Sequence, residues 1–120
     1  MEIFRAFVIE AAHRLPHVPE GHKCQRLHGH SFHILVYVGG RLDEHAGWVM
    51  DFSDVATAFQ PIFEQIDHRY LNEVEGLENP TSENLARWIW SRLVPRLPGL
   101  RKIVVKETCT AGCVYVGDDR

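Results

Sequence analysis

The chain has 120 residues, 13 basic against 16 acidic side chains and a net charge of −3 with neutral histidines. That length holds one domain, 1–120, with a modest core, and the charge balance excludes the broad basic field of a nucleic-acid or anionic-membrane binder. No leader pattern or membrane-length apolar run is present, and the odd set Cys24, Cys109 and Cys113 fits free thiols in a reducing compartment, so a cytoplasmic protein is expected.

Residues 3–9 are rich in β-branched and aromatic side chains and predict a first strand. Residues 13–30 carry Pro16, Pro19, Gly21 and Gly29 without a sustained period. They predict a loop longer than a plain connection needs, and such loops are commonly functional. Residues 31–38 are the clearest strand, ended by Gly39-Gly40. The period then changes. Phe52, Val55, Ala56, Phe59, Ile62, Phe63 and Ile66 share one face of a helix that Asp51 or Ser53 can cap, with Pro61 expected to kink it or cost it a hydrogen bond. Asn79-Pro80-Thr81-Ser82-Glu83 opens a second helix, stopped by Pro95, Pro98 and Gly99. Residues 103–108 and 113–116 complete the order β-β-α-α-β-β. It predicts an α+β fold, a four-stranded antiparallel sheet with two helices on one face. Such a sheet keeps one open face and two bare edges, which oligomerisation into a closed barrel would cover.

Seven of the eight histidines lie in the first 45 residues. If the second strand begins by His28, His28 and His30 leave the same face, roughly 6.6 Å apart along the strand, with His33 pointing away. If the first two strands pair, His13 at the end of one lies near the start of the other. Three imidazole nitrogens with one open position describe a catalytic zinc centre. Cys24 is then either a fourth ligand of a structural site or a thiol activated beside the ion. Three basic residues in the same loop, Arg14, Lys23 and Arg26, form a candidate anion patch. Read on their own, Asp67-His68 is a solvated helix end, Glu107 an ordinary strand end, and Thr81 and Ser82 capping hydroxyls. Cys109 and Cys113 read as packing residues.

Phe7-x-x-Glu10-Ala11-Ala12-His13, Cys24-x-x-x-His28-Gly29-His30, Asp67-His68 and Lys106-Glu107-Thr108 occur in this order. Together they resemble the motifs of the 6-pyruvoyl-tetrahydropterin synthase family. The Cys24 spacing looks like the branch of 6-carboxytetrahydropterin synthases in queuosine biosynthesis. The resemblance implies zinc on His13, His28 and His30, Cys24 as base or acid outside the metal's first shell, and Asp67 with His68 tuning that thiol. It further implies Glu107 on the pterin ring and a tunnelling-fold subunit assembled into a hexamer built from trimers; the hydroxyls of Thr81 and Ser82 are, on their own position at a helix start, candidate ring contacts beside their capping role. The implied reaction is a lyase step that converts 7,8-dihydroneopterin triphosphate to 6-carboxy-5,6,7,8-tetrahydropterin, releasing acetaldehyde and triphosphate. The alternatives are elimination of triphosphate without carbon–carbon cleavage, as in pyruvoyl-type synthases, and a zinc-stabilised binding module without turnover.

Overall fold

The computed structural model describes residues 1–118. Two long strands, β1 (Glu2–His13) and β2 (His28–Gly39), pair antiparallel along their whole length, from Glu2↔Gly39 to His13↔His28. The helix α1 (Phe52–Ile66) follows, then a two-residue strand β3 (Arg69–Tyr70) and α2 (Ser82–Leu93). A closing hairpin of β4 (Leu100–Lys106) and β5 (Gly112–Tyr115) completes the sheet, in the order β3-β1-β2-β4-β5.

The sheet therefore has five strands and is mixed, which corrects the expected four-stranded antiparallel sheet. The added strand β3 runs parallel to β1 through Ala11↔Arg69 and Ala12↔Tyr70. Two residues cannot display a period of two, so no alternation announces it. It follows a turn at His68, whose φ of 56° lies in the left-handed region. From there the His68 amide donates to the Glu10 carbonyl, and Asp67 Oδ1 accepts from the Glu10 amide.

Alternation sets the layers. Ile9 and Ala11 on β1, Phe32, Ile34, Val36 and Val38 on β2, and Ile103 and Val105 on β4 face the helices and are buried. Val55, Phe59, Ile62 and Ile66 of α1 and Leu85, Ile89 and Leu93 of α2 close the core over them. Asp51 caps α1, its carboxylate accepting from the Ser53 amide, and Thr81 caps α2 by accepting from the Asn84 amide. Pro61 sits inside a helix of 15 residues, so it costs the helix one donor but does not end it. The other face of the sheet carries exposed Phe4, Val8 and Val114 and no helix. No helix among the described residues is long and apolar enough to cross a membrane.

Candidate metal centre

At the end of the β1–β2 ladder, the parity that buries Ile9 and Phe32 delivers His13, His28 and His30 to the same helix-facing side. One nitrogen from each ring lies within 4.8 Å of the other two. His13 is fully buried; His28 and His30 are half-buried. The antiparallel register was enough to bring them together.

Ring orientation has a different source. His13 Nδ1 lies 2.8 Å from the Pro80 carbonyl, His28 Nδ1 2.8 Å from the Arg26 carbonyl, and His30 Nδ1 3.3 Å from the Ser31 carbonyl. A carbonyl only accepts, so each Nδ1 must carry the hydrogen, and each neutral ring keeps its lone pair on Nε2. His13 Nε2 and His30 Nε2 meet at 3.0 Å. Two lone pairs at that distance repel, and a cation between them turns the repulsion into ligation. A tetrahedral zinc with nitrogens at about 2.0–2.1 Å spaces its ligands by roughly 3.3 Å. The donor set thus fits zinc. Burial pushes the His13 ring below its ordinary pKa against the raising effect of the Pro80 carbonyl, and His28 adds to the lowering, which keeps the ring neutral for ligation.

Glu107 extends the inward parity of Ile103 and Val105 one step past β4. Its Oε1 stands 3.7 Å from His13 Nε2 and 3.6 Å from His30 Nε2, so its charge faces the same point. Cys24 lies in a short 3-10 turn, Lys23–Gln25, and is half-buried. Its amide donates to His22 Nδ1 and its carbonyl accepts from the Leu15 amide. The thiol falls outside the three-histidine set. That arrangement disfavours a structural Cys-His₃ site.

Asp67 and His68 are joined: His68 Nδ1 lies 2.8 Å from Asp67 Oδ2. Adjacent residues seldom meet this way, and the left-handed turn at His68 is what permits it. Desolvation pushes the Asp67 carboxyl up, but the Glu10 amide and the His68 ring outweigh it and hold it below the usual carboxylate range. One cleft of about 550 Å³ joins His30 to His68 across Glu10 and Ala12, and a second of about 580 Å³ joins His30 to Glu107 and Lys106. His30 is shared by both. Neither cleft is lined by Thr81 or the buried Ser82. The Thr81 hydroxyl is a helix cap that still has its own hydrogen to offer.

Cys113 packs against the core, and burial, with Glu83 nearby, pushes its thiol up. Cys109 is exposed, so the packing role expected of it is not met. Sequence reasoning placed Glu10 in a motif but gave it no role; its backbone carries Asp67 and His68, and its carboxylate accepts from Ser31 Oγ at 2.7 Å. Sequence reasoning missed Asn72, which bonds both backbone groups of Arg14. No pattern in the sequence signals a side chain that works through another residue's backbone.

The family model described as 6-pyruvoyl tetrahydropterin synthase matches residues 2–118. A protein of Synechocystis named 6-carboxy-5,6,7,8-tetrahydropterin synthase is 48% identical, covering 94% of this chain and 91% of the relative. A Pyrococcus furiosus protein named dihydroneopterin monophosphate aldolase is 35% identical, with 77% of each chain covered. The structure of Caenorhabditis elegans 6-pyruvoyl tetrahydropterin synthase superposes with a TM-score of 0.90 at 26% identity, covering 98% of this chain and 96% of that one.

Proposed function

Since this chain belongs to the 6-pyruvoyl tetrahydropterin synthase family, we propose that it is a zinc-dependent lyase of queuosine biosynthesis. The reaction converts 7,8-dihydroneopterin triphosphate to 6-carboxy-5,6,7,8-tetrahydropterin, with release of acetaldehyde and triphosphate. The observation that carries this reading is the convergence of His13, His28 and His30, with the Glu107 carboxylate facing the Nε2 atoms of His13 and His30. The choice of product follows the name of the Synechocystis relative.

In this reading His13, His28 and His30 hold the metal, which when bound supplies Lewis acidity toward side-chain oxygens of the pterin. Glu107 accepts the pterin's amino group and ring N3–H in a two-pronged hydrogen bond, and its placement beside the metal nitrogens sets how deep the ring can enter. Thr81, through its free hydroxyl hydrogen, and Ser82 are added ring contacts. Cys24 moves a proton to or from the side-chain carbons. His68, steered by Asp67, exchanges that proton with solvent through its exposed ring. Arg14, Lys23 and Arg26 attract the triphosphate. The open sheet face bearing Phe4, Val8 and Val114, together with the bare edges of β3 and β5, supports assembly into a hexamer built from trimers. The free state of Cys24, Cys109 and Cys113 fits a cytoplasmic setting.

Product analysis on 7,8-dihydroneopterin triphosphate, with wild type and Cys24→Ala side by side, tests the reading. Wild type is expected to release acetaldehyde and triphosphate together, and Cys24→Ala to stay folded, keep zinc and lose turnover. Triphosphate without acetaldehyde would assign pyruvoyl-type elimination instead. No turnover by zinc-loaded wild type would leave a binding module.

A further inference from the structure

We propose that Asn72 is a positioning residue for His13: its side-chain amide ties together the two backbone segments whose alignment gives His13 Nδ1 its carbonyl and so aims Nε2 at the cluster. The inference rests on the reading of His13, His28 and His30 as a metal centre.

His13 is the last residue of β1, and ladder pairing stops with it. The link beyond it is Asn72, in the 3-10 turn Leu71–Glu73. Asn72 Oδ1 accepts from the Arg14 amide at 3.0 Å, and Asn72 Nδ2 donates to the Arg14 carbonyl at 2.9 Å. One side chain thus satisfies both backbone groups of the residue after His13, as a neighbouring strand would. The same Nδ2 reaches the Glu78 carbonyl at 3.4 Å. Glu78 lies two residues before Pro80, whose carbonyl accepts from His13 Nδ1.

The segment between is anchored at its other end. The Asn79 carbonyl accepts from the Thr81 amide at 2.9 Å and from Asn84 Nδ2 at 2.8 Å, fixing it to the start of α2. Residues 78–81 are therefore held by α2 on one side and by Asn72 on the other. On β1, Asp67 and His68 grip Glu10 and Asn72 grips Arg14, so residues 67–72 bracket His13 from both directions. His13 is 0% exposed, and water cannot replace the Pro80 carbonyl if the segments slip. Only an amide offers one acceptor and two donors at this length. Asp keeps the acceptor for the Arg14 amide but sets a carboxylate oxygen against two carbonyls.

The test compares full-length wild type, Asn72→Ala, Asn72→Asp and Leu93→Ala. Leu93 is buried at the far end of α2, so its loss loosens the fold without touching the bracket. Two quantities are read: zinc affinity by chelator competition, and the His13 Nδ1–H resonance in the metal-free protein by ¹H–¹⁵N NMR. Both Asn72 variants are expected to bind zinc about tenfold more weakly, or worse, and to lose or broaden that resonance, with Leu93→Ala unchanged in both. Wild-type affinity and an unshifted resonance in the Asn72 variants would overturn the proposal. Equal weakening in Leu93→Ala would overturn it too, by making the effect one of general stability. Failure of wild type itself to bind zinc would sink the metal reading, while the resonance would still decide whether Asn72 positions the ring.

Discussion

The middle of the β1–β2 ladder and its His13↔His28 end share one register and one face but are built for different work. Toward the middle, Phe7↔Ile34 and Ile9↔Phe32 bring apolar side chains inward to meet the helices. Two steps further, Ala11↔His30 and His13↔His28 bring imidazoles to the same side. Phe32 marks the border, its ring centroid 5.2 Å from that of His13 and 4.2 Å from that of His30. Apolar burial has no direction, so the middle needs only fit and exclusion of water. Ligation is directional, so the site end also needs each ring turned to a set angle. The shared register delivers the ligands at no added cost; the carbonyls of Pro80, Arg26 and Ser31 then orient them.

The sharpest way to separate the two regions is to cut each once. His28→Ala is expected to remove bound zinc and lower turnover at least a thousandfold, about 4 kcal/mol of barrier, with little change in the melting of the metal-free chain. Ile9→Ala should do the reverse, costing about 2–5 kcal/mol of stability by denaturant titration while the folded fraction binds zinc at wild-type affinity. Equal effects on both readouts would erase the distinction. At the border, Phe32→Ala should show both losses, about 3–5 kcal/mol of stability and roughly tenfold in zinc affinity.

Smaller effects refine the picture. Thr81→Ala removes the cap of the helix whose first turn follows Pro80, and about 1 kcal/mol of stability should go with it. Thr81→Ser should restore it. The smallest effect concerns pH. Folding lowers the His13 pKa, so below about 6.5 the unfolded chain takes up a proton on this ring that the folded chain resists. Stability of the metal-free protein should therefore be full above that pH and decline as pH falls through the folded value. His13→Gln should flatten this part of the profile in denaturant melts between pH 7.5 and 5.

Much of the site was legible because it follows from alternation. Parity placed His28 and His30 together, strand pairing added His13, and the helix starts at Asp51 and Thr81 announced themselves by residue type. What stayed hidden lacks a pattern. The strand β3 is too short to alternate, and it follows a left-handed turn at His68 that no residue-type rule announces. The Asp67–His68 bond follows from the same turn. Asn72 and Asp67 bond the backbones of Arg14 and Glu10, far away in sequence, where residue type says nothing about the partner. Glu107 looked like the end of a strand, and only the continuing parity of β4 in three dimensions brings its carboxylate to the histidine nitrogens.

The most direct test is metal content. Elemental analysis of the purified chain, repeated after stripping and reloading with zinc, should find one zinc per chain in wild type and none in His13→Ala, His28→Ala or His30→Ala. Wild type that neither carries nor takes up zinc would contradict the account, as would full zinc occupancy in any of the three variants.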